Sequence, residues 1–320
     1  MRWSVVTDDA SLAMLWPSWE ALWFRVPRAW PFASPAWLRP WWELFGTGRP
    51  VVATVEGPSG LLGVLPLYEL DMKLLPIGVG ISDYFDILLA PDAPEAAADR
   101  LLGLALDATR CHRCDLPDLP QGARLEGAAA PDGWLAERWG GPVCPVLRLA
   151  PEPEIPKGMR RDVRQARHRA ERAGGWMIET ARAETLGEGL EQLIRLHGAR
   201  WQGKGEAGVL SDPRVLSFHR LAAPALLEAG ALRLEALLLR GRVVAVAHAL
   251  LARNRLCFYL AGFDPDAAFE SPGTILIGHM IEEAVREGRQ EVHFLRGGEA
   301  YKYAWGAIDR PNSGLSLVRT

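Results

Sequence analysis

The chain has 320 residues and a mass of 35.2 kDa, more than one ordinary hydrophobic core accommodates, so its length predicts two domains. Hydrophobic residues make up 49% and charged residues 23%, which is typical of a folded globular protein and excludes a fibrous or disordered chain. The formal net charge of −3 argues against binding of duplex DNA through overall positive charge.

Residues 1–5 lack a basic stretch followed by an apolar core, and the longest apolar run, residues 243–252, is too short for a membrane span. We therefore expect a cytoplasmic protein. The four cysteines are too few for a disulfide framework in a chain of this length, and we expect reduced thiols.

The first half of the chain predicts helices, then a meander of strands, then a helix and a strand. Eight of the 13 tryptophans lie in the first 42 residues, and their helical spacing is typical of a buried face. Ser34 is the expected N-cap of the second helix, with Pro35 in its first turn. The predicted elements are helices at 12–23 and 36–45, strands at 51–56, 61–70 and 84–89, a helix within 91–110 and a strand at 114–116.

Five prolines between Pro142 and Pro156 predict a linker, and we divide the chain into domains 1–150 and 151–320. The second half repeats the order of the first, so the sequence predicts a duplicated α/β (α+β) fold, two mixed sheets flanked by helices with a cleft between them. Its predicted elements are helices at 158–172, 186–201, 213–229 and 272–287, and strands at 231–239, 243–252, 255–261 and 291–295.

The segment Ser271-Pro272-Gly273-Thr274 opens a predicted helix with unpaired backbone N–H groups. Such an end attracts an anion, for instance a pyrophosphate. The alternative interpretation is an ordinary helix cap with no ligand.

Residues 294–306 leave the last predicted strand, at the end where open α/β sheets place ligands. Lys302, one of only four lysines among 36 basic residues, stands between Tyr301 and Tyr303 and close to Trp305. The alternative is a solvated loop with incidental aromatic residues. Another rare lysine, Lys204, follows a second candidate pair, Arg200-Trp201, which is suited to a planar anion or a nucleobase. That pair is equally explained as a helix end whose cations balance the helix dipole.

Asp83, Tyr84 and Asp86 precede a predicted strand, and the two carboxylates could receive an amine. A turn cap and a strand-end charge are the alternative. Cys111 and Cys114 form a lone C-x-x-C with no second pair, so we predict no metal site, and the histidines show no metal-binding spacing. The helix at 157–172 carries six arginines and one lysine, which suggests an anionic ligand or partner or, alternatively, a solvated face.

Several of these motifs together resemble the bacterial GNAT-superfamily proteins related to the cellulose-biosynthesis protein CelD, and more distantly the FemABX peptidyltransferases. The resemblance spans most of residues 30–310 and is strongest in 195–306. It is carried by Trp37, Trp41 and Trp42, by Arg200-Trp201, and by residues 259–265, 271–273 and 298–302.

The resemblance implies tandem GNAT domains and transfer of an acyl group, expected to be acetyl from acetyl-CoA, to an amino group of a small molecule, amino sugar or peptide. In the FemABX group the donor is aminoacyl-tRNA, so tRNA is the alternative donor. By resemblance, Lys302 would stabilise the developing oxyanion. The implied site comprises catalytic Lys302, Glu299, Tyr301 and Tyr259, donor-binding Ser271, Gly273, Thr274 and Arg296, and substrate-binding Asp83, Tyr84, Asp86, Arg200, Trp201 and Trp305.

Within that set, Glu299 or a water that it holds would accept the proton of the amine. Two rival interpretations remain open. The chain could be a catalytically inactive tandem GNAT protein that only binds a partner, or an RNA-binding protein that acts through the helix at 157–172.

Overall fold

The computed structural model of the protein describes residues 1–203 and 205–320; Lys204 lies outside the described residues. The chain divides into two compact units, one formed by Met1–Val143 with Arg310–Thr320 and the other by Cys144–Asp309. This division differs from domains 1–150 and 151–320 in two ways. The boundary lies at residues 143/144, and residues 310–320 belong to the first unit.

The first unit combines a mixed sheet with three helices. Its core holds many of the N-terminal tryptophans, including Trp19 and Trp37, which are fully buried. In chain order its elements are β1 (Arg2–Val6), α1 (Asp9–Arg25), α2 (Pro35–Phe45), β2 (Arg49–Gly57), β3 (Gly60–Leu70), β4 (Lys73–Pro76), β5 (Leu88–Leu89), α3 (Ala97–Asp107), β6 (Arg113–Leu119) and most of β7 (Trp134–Arg148).

The second unit also combines a mixed sheet with helices, and the last strand of the chain then returns to the first unit. In chain order the elements are α4 (Lys157–Arg172), β8 (Trp176–Thr180), α5 (Leu186–Gln202), α6 (Pro213–Glu228), β9 (Leu232–Leu239), β10 (Arg242–Ala252), β11 (Arg255–Phe263), α7 (Pro272–Arg286), β12 (Glu291–His293), α8 (Ala300–Ala304) and β13 (Ile308–Arg319). Short 3-10 helices lie at Pro31–Ala33, Val209–Ser211 and Pro265–Glu270.

Both units have the same strand order. In the first, β1, β2, β3 and β4 are successively antiparallel, and β6 then joins β4 in parallel after helix α3. In the second, β8, β9, β10 and β11 are antiparallel, and β12 joins β11 in parallel after helix α7. The predicted duplication of a helix-flanked mixed sheet is therefore confirmed.

The core of the second unit lies between its sheet and helices α4 and α7. Ala245, Ala247 and Ala249 alternate along β10 and face this core, and their small side chains leave room for the helices to pack closely. Helix α4 contributes Val163 and Ala166, which are buried although most of the helix is charged. Hydrophobic packing thus fixes both helices against the strands that line the site described below.

Several predicted elements differ from the structure. The third strand of the first meander is β4, not residues 84–89, of which only Leu88–Leu89 pair with β3. Strands β1 and β8 went unpredicted because each is a five-residue strand with little alternation. The side chain of Ser34 does not cap helix α2, since its hydroxyl donates to the carbonyl of Pro31.

The predicted linker at 142–156 is also wrong in its first half, because residues up to Arg148 belong to strand β7. Proline is tolerated there since its missing N–H need not donate to the sheet. Pro145 takes part through its carbonyl, which accepts a hydrogen bond from the N–H of Phe294 at 2.9 Å.

Candidate functional site

A pocket opens in the second unit beside strand β11, beyond the point where its parallel partner β12 ends. Strand β12 pairs with β11 only over the three residues Arg255, Leu256 and Cys257, whereas β11 continues to Phe263. The pocket has a volume of about 350 Å³ and lies at the carboxyl end of β11, the end at which α/β sheets place ligands. It is lined by Met159, Arg200, Ala245, Val246, Phe258, Ala261, Gly262, Phe263, Ala268, Ser271, Pro272, Gly273, Thr274, Leu276, Ile277, Tyr301 and Trp305.

Six of the residues singled out from the sequence line this one pocket, namely Arg200, Ser271, Gly273, Thr274, Tyr301 and Trp305. Most other lining residues are apolar, and Arg200 is the one charged residue in the lining that the structure describes. The pocket therefore suits a ligand with a largely apolar body and a few polar groups.

The N-terminus of α7 forms one wall of the pocket. Ser271 precedes the helix in the left-handed conformation, with φ of 54°, and Pro272 occupies the first turn. A Cβ at Gly273 would meet only the ring of Phe263, at 3.9 Å. The backbone at Gly273 is therefore open to a ligand. The N–H groups of Thr274 and Ile275 already donate to the carbonyl of Ser271, so the N–H of Gly273 and the helix dipole are what favour a negative charge here.

Tyr301 and Trp305 contribute from α8 and the residue that follows it. Burial raises the pKa of Tyr301 to about 12, so its hydroxyl keeps its proton at neutral pH and is a donor. The ring of Tyr301 packs edge-on against Phe294 with centroids 6.1 Å apart. Trp305 is 3% exposed and excludes water from this end of the pocket.

Lys302 lies next to Tyr301 but does not line the pocket. Its ammonium donates to the carbonyls of Leu295, Arg296 and Gly297 at 3.2, 2.8 and 3.0 Å and lies 2.9 Å from the carboxylate of Glu299. An ammonium has only three protons, so these partners occupy all of them. The structure thus assigns Lys302 to holding the loop before α8, in place of the expected direct contact with a developing oxyanion.

Glu299 is bound to the same ammonium. Burial alone would raise its pKa, but the hydrogen bond from Lys302 and the charges of Lys302 and Arg200 hold the pKa below its usual value. A carboxylate with a lowered pKa is a weak base, which disfavours the expected role of proton acceptor. Arg296 contributes its carbonyl to Lys302, and its side chain is not part of the pocket lining.

Arg200 enters the pocket from the last turn of α5. Its guanidinium lies 5.0 Å from the ring centroid of Phe263, and its Nε is buried without a hydrogen-bond partner in the described part of the chain. Trp201 does not line the pocket; its indole N–H donates to Nε2 of His197 at 2.9 Å. Burial and the charge of Arg200 lower the pKa of His197 to about 4, so this imidazole is neutral.

The backbone of α5 is positioned by a close approach to β11. A Cβ at Gly262 would lie 2.3 Å from the backbone nitrogen of His197, so only glycine fits there. This contact sets the distance between β11 and the helix that carries Arg200.

Tyr259 occupies a β-bulge in β11. His248 pairs with Leu260 and Ala249 with Phe258, which leaves Tyr259 as the extra residue. Its ring lies 5.6 Å from those of His219 and His248, and it is not among the pocket-lining residues. The half-buried Tyr259 therefore packs against two buried histidines, away from the pocket where a catalytic role was expected.

Asp83, Tyr84 and Asp86 lie in the first unit and act there as parts of its core. The ring of Tyr84 packs 4.4 Å from that of Trp30, and the carbonyl of Asp83 accepts from Nδ2 of Asn312. The Asp86 carboxylate accepts from the N–H groups of residues 87, 124 and 125 at 2.8, 2.9 and 3.2 Å. These hydrogen bonds give the carboxylate a structural role in the first unit, and its expected use as an amine receptor stays a prediction.

All four cysteines are buried thiols, and burial raises the pKa values of Cys111 and Cys114. Within residues 1–203 and 205–320, no cluster of His, Cys, Asp or Glu side chains is suited to a metal ion. Among the helices of the same residues, none is both long and apolar enough to cross a membrane.

Sequence reasoning missed much of the apolar lining, including Met159, Phe258 and Phe263. Phe263 belongs to the 259–265 motif, but an apolar residue at a strand end gives no signal of ligand contact. The sequence gives no sign that Met159 lines a pocket, because it lies in the basic helix α4 and faces the pocket only through the packing of α4 against α7.

Residues 157–303 match the family model described as "Acetyltransferase (GNAT) domain". The match lies within the second unit and agrees there with the GNAT-type acetyltransferase domain that the sequence resemblance implied. No curated protein sequence gives a significant match.

Solved structures with the same fold cover nearly the whole chain. The crystal structure of FemX has a TM-score of 0.67 at 12% identity and covers 98% of this chain and 97% of its own. A conserved protein of unknown function from Bacteroides thetaiotaomicron has a TM-score of 0.63 at 12% identity, over 99% and 100%. L-PGS from Bacillus licheniformis has a TM-score of 0.57 at 11% identity, over 89% and 92%. At these identities the similarity shows the fold alone.

Proposed function

We propose that the protein is an acyltransferase that moves an acyl group, preferably acetyl from acetyl-CoA, to an amino group of a small molecule, amino sugar or peptide. The observation that carries this proposal is the apolar pocket beside the carboxyl half of β11, with the open N-terminus of α7 in its wall. The GNAT-type domain match over the same residues supports it.

The lining residues fit such a donor. The N–H of Gly273 would bind its diphosphate at the positive end of the helix dipole, because the glycine leaves the helix end uncovered. Phe258, Phe263 and Leu276 offer an apolar wall for its uncharged arm. The donor, when bound, supplies a thioester whose carbonyl carbon is open to attack by an amine.

Tyr301 is the proton donor that we assign to this pocket, since its hydroxyl remains protonated at neutral pH. In the transfer, a bond forms between the amine nitrogen and the acyl carbon while the carbon–sulfur bond breaks, and Tyr301 protonates the departing sulfur. The proton lost by the amine leaves through water and restores the hydroxyl. Lys302 and Glu299 act as positioning residues that hold the loop before Tyr301.

The test is calorimetric titration with acetyl-CoA, followed by detection of free thiol with a panel of amino acids, amino sugars and peptides. Tyr301→Phe should bind acetyl-CoA as well as wild type but turn over roughly 10²–10³ times more slowly. Tyr303→Phe is the matched control, because this exposed hydroxyl bonds to Asp309 instead. Binding without turnover by wild type would favour the inactive binding module, and absence of binding would refute an acyl-CoA donor.

An aminoacyl-tRNA donor is the second candidate, and a feature of α4 favours it. Five cationic or potentially cationic side chains, Lys157, Arg161, Arg164, His168 and Arg172, are exposed and recur every three or four residues along one face. Such a face suits a phosphate backbone. Transfer from aminoacyl-tRNA, with none from acetyl-CoA, would establish this alternative.

A further inference from the structure

Phe269 is 75% exposed and lies at the rim of the pocket. It belongs to the 3-10 helix Pro265–Glu270, which connects β11 to α7. Its neighbours Ala268 and Ser271 both line the pocket. A single exposed phenylalanine is unremarkable on most surfaces, but this one presents an open aromatic face beside a cavity built for a ligand.

Arg169 of helix α4 lies against this ring. Its guanidinium carbon is 5.5 Å from the centroid of Phe269, and its Nη2 donates to Oγ of Ser271 at 3.0 Å. Its Nε is buried without a hydrogen-bond partner, and within the described residues no carboxylate lies at ion-pair distance from it. Arg169 therefore brings a positive charge with unused donors to the same rim.

The two residues have complementary properties. The guanidinium covers one face of the Phe269 ring and leaves the other face to solvent, where a flat ring can stack. The remaining guanidinium donors suit phosphate oxygens, which arginine binds in a fork geometry. A flat ring joined to a phosphate is the chemistry of a nucleotide.

We infer that Phe269 and Arg169 form a nucleotide subsite at the rim of the pocket, in which Phe269 stacks on a nucleobase and Arg169 binds a phosphate of the same nucleotide. This inference rests on the proposed function, since the nucleotide is the adenosine part of the acyl donor. The subsite adds Phe269 and Arg169 to the residues proposed to bind the donor. It places the adenosine end of the donor beside the 3-10 helix Pro265–Glu270.

Two kinds of acyl donor could bring an adenosine nucleotide to this subsite. Coenzyme A carries a phosphorylated adenosine, and a tRNA ends in adenosine at the 3′ terminus that holds the amino acid. The subsite therefore fits either donor, and the experiment includes a probe for each.

The first arm measures binding of CoA, dephospho-CoA and 4′-phosphopantetheine by calorimetry. Phe269→Ala should weaken CoA and dephospho-CoA by roughly tenfold or more, the usual effect of losing a base-stacking ring, and leave 4′-phosphopantetheine within twofold. Arg169→Gln should weaken CoA similarly. Leu221→Ala and Arg253→Gln are the controls, since both side chains are exposed in the same unit and neither lines the pocket.

The second arm measures binding of a tRNA acceptor-stem minihelix with and without its terminal adenosine. If removing the terminal adenosine weakens binding of the minihelix to wild type but not to Phe269→Ala, tRNA is the source of the nucleotide. If CoA binds and the Phe269 and Arg169 variants bind CoA and the minihelix as wild type does, the subsite is refuted while the proposed function stands. If wild type binds neither CoA nor the minihelix, both are refuted. Because Phe269 is exposed, its replacement does not threaten folding.

Discussion

The side-chain nitrogen of Lys302 lies 2.9 Å from the carboxylate of Glu299, three residues earlier in the chain. The two residues are not equivalent in this pair, because the side chain of Lys302 is 3% exposed whereas that of Glu299 is 58% exposed. The lysine also holds three carbonyls of the loop before α8. The pair is thus a buried anchor with one solvent-facing partner.

Lys302→Met should therefore act mainly on stability. It leaves three carbonyls without their donor, and we expect the free energy of unfolding to fall by about 1–3 kcal/mol, with a loss of activity because Tyr301 shifts. Glu299→Gln should cost less, since water can replace the carboxylate. Urea unfolding and steady-state kinetics of both variants provide the test. A Lys302→Met protein of wild-type stability that loses activity a hundredfold would restore the role of oxyanion donor.

Replacing Gly262 or Gly273 with alanine should have different effects, one on stability and the other on donor binding. Gly262→Ala places a Cβ against the backbone of α5 and should lower stability by about 1–3 kcal/mol, as overpacking does. Gly273→Ala meets no close neighbour, so the protein should fold normally and bind the donor more weakly. Gly103→Ala in helix α3 is the control, because nothing lies near its Cβ. Equal donor affinity of Gly273→Ala and wild type would argue against a ligand at that helix end.

Burial lowers the pKa of His248 to about 4, which makes the second unit sensitive to acid. The unfolded imidazole titrates near pH 6.5, so between pH 6.5 and 4 the unfolded state binds more protons and stability falls as the pH falls. A single such residue contributes up to about 3 kcal/mol across this window. His248→Leu should flatten the dependence of unfolding free energy on pH, measured by urea unfolding across this window.

Asp86→Asn tests whether this carboxylate is structural. One oxygen becomes an NH2 group that faces backbone N–H donors, so stability should fall by about 1–3 kcal/mol. The KM for the amine acceptor should not change. Asp132→Asn, at an exposed position of the same unit, is the matched control. A stable Asp86→Asn protein with a raised acceptor KM would support a substrate-binding role for this carboxylate.

The basic face of α4 should bind RNA if tRNA is the donor. Replacing Arg161, Arg164 and Arg172 together with Gln should weaken RNA binding and reduce the slope of log affinity against log salt by roughly 0.7 for each phosphate that is no longer neutralised. Arg160 and Arg167 are left intact because they bond to the 153–155 segment and to Glu282. Arg110→Gln, exposed in the first unit, is the control. Unchanged affinity at low salt would exclude this face from RNA binding.

The sequence predicted the fold well where elements are long and amphipathic, as in α5, α6 and the β9–β11 meander. It failed where tertiary contacts decide, since β7 contains two prolines and the short strands β1 and β8 show little alternation. For the site, spacing identified the segments of the α7 start and of Tyr301 and Trp305. It could not tell that Lys302 points at its own loop or that Asp86 accepts backbone hydrogen bonds, because both depend on how the backbone folds around them.

Strand β13 has a consequence for the order in which the protein forms. It pairs with β6, so the sheet of the first unit receives its final strand from residues synthesised after the whole second unit. On the ribosome, residues 144–309 can complete their own contacts while the first unit still exposes the edge of β6. Although the N-terminal half is synthesised first, we expect it to remain protease-sensitive until residues 310–320 emerge and β13 pairs with β6.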